Sequence, residues 1–235
     1  MRRTLLVLVV ALAAAFATVS PARAAIDQPV ATWEMNEPVG SATMLDSSGN
    51  GINGAIGAHV QVGTALSGGG IGYRFPYLQP NTPPADPEHV VRVTPDARLN
   101  PGSGNFAVEF RMRTTHSFGN IIQKGQAGAA GGYWKLQQSS GKVSCLFRGS
   151  LGSSTASSGT VRVNDGAWHT VRCERSSSRV VMRVDGVVTG RNSNPTGTIA
   201  NNKRLSMAGK LNCDQINTTC DYFAGEIDYV KIQRS

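Results

Sequence analysis

The chain has 235 residues and a formal net charge of +8, from 23 Lys and Arg against 15 Asp and Glu. This length fits one large β domain or two small ones. The basic residues are scattered and form no runs, which favours solubility and weak attraction to anionic polymers over specific nucleic-acid binding. We therefore predict no nucleic-acid partner.

The first 24 residues have the pattern of a secretory signal peptide. Arg2 and Arg3 form a positive start, an apolar stretch runs from Leu5 to Val19, and Ala22-Arg23-Ala24 resembles a cleavage signal. A retained anchor helix is the alternative, but the stretch is short for a membrane span. We predict a secreted, extracellular protein with one domain over residues 25–235. Its charge falls from +8 to +5, because three arginines leave with the signal.

Strand patterns dominate the rest of the chain. Helix signals are almost absent, the chain contains 27 glycines, and β-branched residues cluster in short runs between turn residues. In chain order we predict strands over Ala31–Met35, His59–Gly63, Val90–Val93, Phe106–Arg113, Asn120–Lys124, Tyr133–Gln138, Lys142–Arg148, Val161–Val163, Trp168–Arg175, Arg179–Val184, Val187–Gly190, Arg204–Gly209 and Phe223–Gln233.

Alternation within these strands indicates packed antiparallel sheets. In the strand 106–113 one face is apolar and the other is charged, with Phe106, Val108, Phe110 and Met112 opposite Glu109, Arg111 and Arg113. Asp185-Gly186 between two Val-rich runs predicts a tight hairpin. Gly125–Gly132 predicts a loop, and the proline-bearing segment Leu78–Ala97 predicts a long crossover. The fold class that follows is all-β, a two-sheet antiparallel jelly-roll sandwich.

Several segments, in the right order, resemble the laminin-G-like group of concanavalin A-like domains. They are Trp33–Glu37 with Leu45–Gly54, Phe106–Arg111, Asp165-Gly-Ala-Trp-His169 with Val184-Asp-Gly186, and Phe223–Ile232. The resemblance covers nearly the whole mature chain and implies that the first and last strands lie side by side. The group contains lectins, adhesion modules, accessory carbohydrate-binding domains and some glycosidases, so the fold leaves the function open.

Signatures of catalysis are missing. Glucanases of this fold carry Glu-x-Asp-x-x-Glu on one strand, because hydrolysis needs two carboxylates at one sugar bond, and this sequence has no such motif. We interpret Glu109 as a paired or solvated charge, Trp168 as a core aromatic and His169 as a hydrogen-bonded strand residue. We predict a monomeric, non-catalytic module that binds a glycan or cell-envelope polymer. A divergent glycosidase or polysaccharide lyase and a protein-adhesion domain are the alternatives.

Tyr133, Trp134 and Gln137 are the predicted ligand-binding residues. They follow the Gly-rich loop, and neighbouring strand residues face opposite ways, so one ring should be core and the other outward. The alternative is that both rings are buried. Tyr73, Phe75 and Tyr77 also alternate, and we interpret that stripe as core in preference to a sugar platform.

The resemblance also implies one structural calcium ion. Calcium prefers carboxylate and carbonyl oxygens, and we predict Glu37, Asp46 and Asp228 as ligands, with carbonyls of the 46–54 loop. The alternative is that Asp46 and its neighbours form side-chain-to-backbone turns without a metal.

Four cysteines follow the export signal, and an even number in an oxidising compartment indicates disulfides. We predict the pairs Cys145–Cys173 and Cys213–Cys220. The first pair would join two neighbouring central strands, and the second would close a short polar loop.

Overall fold

The computed structural model describes residues 25–66, 70–79, 87–211 and 220–235. These residues form strands β1 (Gln28–Trp33), β2 (Thr43–Met44), β3 (Gly54–Ile56), β4 (Gln61–Ala65), β5 (Ile71–Phe75), β6 (Val91–Val93), β7 (Phe106–Arg113), β8 (Gly119–Lys124), β9 (Tyr133–Ser139), β10 (Lys142–Gly149), β11 (Gly152–Ser157), β12 (Trp168–Arg175), β13 (Val180–Val184), β14 (Val187–Asn192), β15 (Leu205–Met207) and β16 (Gly225–Arg234). Short 3-10 helices cover Pro87–His89 and Ala97–Leu99. In the described part of the chain, none of the helices has the length and apolar character needed to span a bilayer. The predicted signal peptide lies outside the described residues.

The strands form two antiparallel sheets of eight strands each. Sheet A has the order β14-β13-β12-β7-β16-β5-β4, with β1 also paired to β16. Sheet B has the order β11-β10-β9-β8-β15-β6-β3-β2. This architecture confirms the jelly-roll sandwich. The first and last strands are neighbours, as the resemblance implied, with Trp33 opposite Val230.

Alternating side chains explain how the sheets pack. In β7 the four apolar residues of the predicted core face are fully buried, and the charged residues between them are half-buried on the outer face. The inner faces of both sheets contribute to one hydrophobic cluster, which includes Trp33, Phe110 and Trp134. Burial of this apolar surface is the main force holding the two sheets together.

The predicted hairpin at Asp185-Gly186 is confirmed. Val184 pairs with Val187 across the turn, and φ is 51° at Asp185 and 78° at Gly186. Two positive φ values in succession are required by the tight turn that matches strand twist.

The structure corrects several strand predictions. Val161–Val163 is not a strand, although Val163 is buried beneath the end of sheet B. Conversely, β11 consists of Gly-Ser-Ser-Thr-Ala-Ser, a composition typical of a loop, and it becomes an edge strand by pairing with β10. Strands β2 and β3 are also short segments without alternating apolar residues. These segments are strands because their backbones pair with a neighbouring strand, and no local sequence pattern records that pairing.

The disulfide Cys145–Cys173 is present, so that predicted pair is confirmed. The prediction that the two cysteines lie on neighbouring strands was wrong, because Cys145 lies on β10 of sheet B and Cys173 on β12 of sheet A. The bridge crosses the core between the sheets, with a Cα–Cα distance of 6.4 Å, and both residues are fully buried. Cys220 is also disulfide-bonded, while its predicted partner Cys213 lies outside the described residues.

Candidate functional site

The predicted ring pair on β9 does not form an exposed platform. Trp134 is fully buried and its Nε1 donates a hydrogen bond to the Leu99 carbonyl at 3.1 Å. Tyr133 points to the outer face of sheet B but is only 8% exposed, and Gly125 packs so closely that an added Cβ there would lie 3.1 Å from Tyr133 Cβ. Gln137 shares that face and is half-buried. One ring is core and the other faces outward, as predicted, but the outward ring is covered, which is the alternative of two buried rings considered above.

The three carboxylates predicted as calcium ligands are not brought together. Glu37 is buried and accepts hydrogen bonds from Leu45 N at 2.7 Å and Tyr73 Oη at 2.5 Å. All three residues are among those that the structure describes. Among the described residues, no group of three or more His, Cys, Asp or Glu side chains is placed to hold a metal ion. The oxygens of Glu37 already accept from protein donors, so this residue does not fit a role as an open calcium ligand.

The other two predicted ligands have protein partners of their own. Asp46 accepts backbone N–H groups of Thr32, Ser48 and Ile52, which is the side-chain-to-backbone arrangement considered above. Asp228 lies at a bulge on the outer face of sheet A and pairs with Arg111 at 2.7 Å. A cation beside Asp228 opposes binding of a second cation there.

His169 is held between two carboxylates at one end of sheet A. Its Nδ1 lies 2.8 Å from Asp185 and its Nε2 lies 3.0 Å from Asp165. The prediction of a hydrogen-bonded strand histidine is confirmed. Trp168 is not core: it is half-buried on the outer face, with the Arg111 guanidinium 4.6 Å from its ring centre. Side chains two positions apart on a strand share a face. Val171 and Cys173 of β12 point inward, so His169 lies on the inner face and Trp168 on the outer face.

This arrangement predicts a pH-dependent contribution of His169 to stability. Burial alone lowers the pKa of His169, but its hydrogen bonds to Asp185 and Asp165 outweigh burial and hold the pKa above its ordinary value of 6.5. The stabilisation is therefore complete below that ordinary value and is lost as pH rises through the raised pKa. We expect His169→Gln to lower the free energy of unfolding by about 1–2 kcal/mol near pH 5.5, and by less near pH 9. Urea unfolding at both pH values measures the difference, and an equal loss at both would contradict it.

An exposed aromatic residue lies elsewhere, just after β5. Tyr73 and Phe75 are buried, as interpreted, but the strand ends at Phe75 and Pro76 follows it. Tyr77 therefore leaves the sheet and is 60% exposed. Its ring stacks on His116, with centres 4.9 Å apart and an interplanar angle of 13°. The stripe is thus core at two positions and a surface ring at the third.

Tyr77 lines a groove of about 400 Å³, which we call the Tyr77 groove. Its described lining residues are Arg74, Phe75, Pro76, Tyr77, Arg113, Thr114, Thr115, His116, Gly166, Ala224, Gly225 and Glu226. The groove lies where β5, β7 and β16 meet, so its polar side chains come from three distant parts of the chain.

Glu226 is the central polar residue of the groove. It lies on β16 directly between Arg74 of β5 and Arg113 of β7. Its Oε1 accepts from Arg74 Nε at 3.0 Å and Nη2 at 2.7 Å. Its Oε2 is 3.6 Å from Arg113 Nη1, and this oxygen is buried without a hydrogen-bond partner. Solvent does not reach this oxygen, and its charged partner is the Arg113 guanidinium, so Glu226 holds both arginines in place at the floor of the groove.

The backbone around Glu226 is rigidly supported. Thr114 Oγ1 donates to the Ala224 carbonyl at 2.6 Å, and Arg113 Nε donates to the Gly166 carbonyl at 2.7 Å. Gly225 has φ of 152°, and an added Cβ would lie 2.5 Å from the Arg113 carbonyl oxygen. Only glycine permits this close approach of β16 to β7. The groove is consequently formed before any ligand arrives.

The fold and this groove define a jelly-roll domain with a pre-formed surface site. The family model of the laminin G domain matches residues 112–235, which is more than half of the chain. The protein belongs to the laminin G domain family. A comparison with curated proteins returns no match.

Solved structures with a similar fold include several toxin binding domains. The botulinum neurotoxin serotype D binding domain has a TM-score of 0.61 and 13% identity, covering 89% of this chain and 48% of that one. The botulinum neurotoxin DC binding domain, solved in complex with SialylT, has a TM-score of 0.62 and 11% identity, with 88% and 47% covered. The binding domain of Paraclostridial Mosquitocidal Protein 1 has a TM-score of 0.60 and 12% identity, covering 88% of this chain and 48% of that one. The chain therefore spans about half the length of these structures, and the likeness shows the fold.

Proposed function

We propose that this protein is a secreted, non-catalytic module that binds carbohydrate in the Tyr77 groove. The single observation that carries the proposal is the 60% exposed Tyr77 ring in a groove that also presents the Arg74 and Arg113 guanidinium groups held by Glu226. A sugar ring offers apolar C–H groups to an aromatic face and hydroxyl oxygens to guanidinium donors. Both groups of the groove therefore have a partner on the same ligand.

The dimensions and charges of the groove support this ligand class. A volume of about 400 Å³ lies within the usual range of small-ligand sites, roughly 300–1,000 Å³. Arg74 and Arg113 flank Glu226 and hold its carboxylate in position. A sugar hydroxyl that accepts from the partly exposed guanidinium of Arg74 or Arg113 would make a charge-assisted hydrogen bond, which is stronger than one between neutral groups.

The same groove favours binding over hydrolysis. Glycoside hydrolysis requires two carboxyl groups at one bond, and Glu226 is the only acid among the described lining residues. Glu109, the central-strand acid considered above, is held by Arg172 at 3.1 Å on the outer face of sheet A. Membership in the laminin G family is also in keeping with a binding role.

Export is supported by the cross-sheet disulfide, because stable buried disulfides form in oxidising compartments. A structural calcium ion stays a proposal that rests on the family resemblance alone. Its ligands would include backbone carbonyls, since the three predicted carboxylates have protein partners.

A glycan array with the exported protein should identify a bound sugar, and calorimetry then tests the groove with that sugar. We expect Tyr77→Ala to weaken binding about tenfold by removing the stacking surface. Glu226→Gln should weaken it roughly 10- to 100-fold, because a neutral amide no longer holds the Arg74 and Arg113 guanidinium groups in position.

Matched controls separate the groove from general surface effects. Leu151→Ala removes another exposed apolar side chain, and Asp228→Asn neutralises another acid of β16. Both should leave the affinity within about twofold. Thermal melts confirm that every variant is folded. Absence of any bound glycan, or full affinity in both groove variants, would refute the proposal.

A further inference from the structure

We propose that His169 is a positioning residue for the Tyr77 groove. Through Asp165 it holds residues 164–167, here called the β12 loop, against Arg113, and binding in the groove weakens when His169 loses its proton. This inference rests on the proposed function of the groove. It adds a residue that controls binding from outside the described lining of the groove.

Two consecutive residues of the β12 loop have different partners. Asp165 Oδ1 lies 3.0 Å from Nε2 of His169. Gly166 lines the Tyr77 groove, and its carbonyl accepts a hydrogen bond from Arg113 Nε at 2.7 Å. Because the Cα atoms of consecutive residues are only about 3.8 Å apart, a displacement of Asp165 also moves Gly166. The β12 loop therefore connects the histidine to the wall of the groove.

The β12 loop is joined to the end of β7 by two hydrogen bonds. The Gly166 N–H donates to the Thr114 carbonyl at 3.1 Å, and the Gly166 carbonyl accepts from Arg113. The Arg113 guanidinium is thus oriented by the β12 loop through Nε and by Glu226 through Nη1. A shift of the loop changes the position of a donor that the proposed sugar uses.

The charged form of His169 binds both of its carboxylate partners, because each nitrogen of an imidazolium ring carries a hydrogen to donate. Among the described residues, Asp165 of the β12 loop and Asp185 of the β13–β14 turn are the charged groups that act on the ring. Its partner on β7 is the apolar Met112. Although burial lowers it, the pKa of His169 is held above its ordinary value by the two carboxylates. The double contact is complete below that ordinary value and is lost as pH rises through the raised pKa.

Neutral His169 can donate only one of these hydrogen bonds. The contact with Asp185 is the shorter, at 2.8 Å, and the other oxygen of Asp185 is fixed by the Thr170 N–H. We therefore expect the remaining proton on Nδ1, which leaves an unprotonated Nε2 facing an oxygen of Asp165. These two acceptors repel, and the Asp165 side chain is 55% exposed and free to turn into water. Arg113 is then held less firmly before binding, and ordering it costs entropy when the sugar binds.

NMR of the ligand-free protein tests this connection without any sugar. The Arg113 Cζ resonance, assigned by its absence in Arg113→Lys, is followed together with the His169 ring resonances from about pH 5 to about pH 9. We expect the two residues to titrate with one midpoint, because Gly166 transmits the change from Asp165 to Arg113.

Asp165→Asn and Asp185→Asn form a matched pair. Each neutralises one of the two carboxylates on His169, and the side chains are similarly exposed, at 55% and 52%. Only Asp165 belongs to the β12 loop. In Asp165→Asn the Arg113 resonance should no longer follow His169. In Asp185→Asn it should still follow, with a midpoint at lower pH, because loss of a carboxylate lowers the pKa of His169. Intact mass verifies that the new Asn–Gly sequences have not deamidated.

Calorimetry then measures the effect on binding. Lactose, maltose, cellobiose and diacetylchitobiose are the probes, since none of them titrates in this range. For the disaccharide that binds most tightly, we expect the wild-type affinity to fall about three- to tenfold from near pH 5.5 to near pH 9. The fall should be at least about twofold smaller in His169→Gln and in Asp165→Asn. His116 of the groove is unchanged in every variant, so its own contribution cancels in the comparison.

The proposal is overturned if the Arg113 resonance does not change over the His169 titration, or if the two Asn variants behave alike. It is also overturned if a bound disaccharide shows the same pH dependence in the wild type and in His169→Gln. Failure of every disaccharide to bind at both pH values would count against the proposed function of the groove. The positioning role of His169 is then decided by the ligand-free titration.

Discussion

Replacing Cys145 and Cys173 together with Ala is expected to lower the free energy of unfolding by about 3–4 kcal/mol. The two residues are separated by 28 positions and join opposite sheets across the core. Cutting the bridge restores loop-closure entropy to the unfolded chain. It also leaves two truncated side chains in the core, where lost packing adds to the cost.

Guanidinium unfolding of the oxidised wild type and the double variant measures this effect. Val143→Ala is a suitable control, because it removes apolar volume from buried β10 without cutting a cross-link. Reductant should destabilise the wild type and the control by similar amounts and change the double variant much less. Equal stability of the wild type and the double variant would show that the bridge does not stabilise the sandwich.

Arg175→Met is expected to lower the free energy of unfolding by about 3–5 kcal/mol. Arg175 is 1% exposed at the end of β12. Its guanidinium donates to Thr196 Oγ1 at 3.0 Å and to the carbonyl groups of Gly102, Gly104 and Gly197. Methionine keeps the apolar stem but removes all of these hydrogen bonds, although the Gly102 carbonyl still accepts from the Ile199 N–H. Two loops, 102–104 and 196–197, would then lose an anchor that they share.

Two further variants make the Arg175 result specific. Arg179→Met changes an exposed arginine in the turn before β13 and should cost no more than about 0.5 kcal/mol. Arg175→Lys should recover only part of the loss, because an ammonium group cannot reproduce the planar fork of donors. Urea unfolding compares all three. A loss for Arg175→Met no greater than that for Arg179→Met would contradict the anchoring role.

Local patterns were sufficient for much of the fold. Alternation assigned both faces of β7, and Asp185-Gly186 located the β13–β14 hairpin, because each signal depends on residues that are close in the chain. The disulfide partner of Cys145 was identified correctly, but its geometry was not. Whether two strands lie side by side or face each other across a core depends on the whole sheet order, which has no local signal.

The candidate sites show the same division. The spacing of Val171 and Cys173 could have placed Trp168 on the outer face, and Pro76 could have signalled that Tyr77 leaves its strand. By contrast, Arg74 and Glu226 are 152 positions apart in the chain, and nothing near either residue records their contact. The same is true of Arg113 and Gly166, which meet only because β7 pairs with β12.

The sequence by itself determined the all-β class, the strand faces and the membership of a jelly-roll family, because side-chain alternation and turn chemistry act over a few residues. The tertiary structure alone decided which side chains share a surface. It buried Tyr133 and Trp134, and it assembled the Tyr77 groove from distant strands. The physical reason is that strand order and register set these contacts, and both are fixed by burial of the whole core.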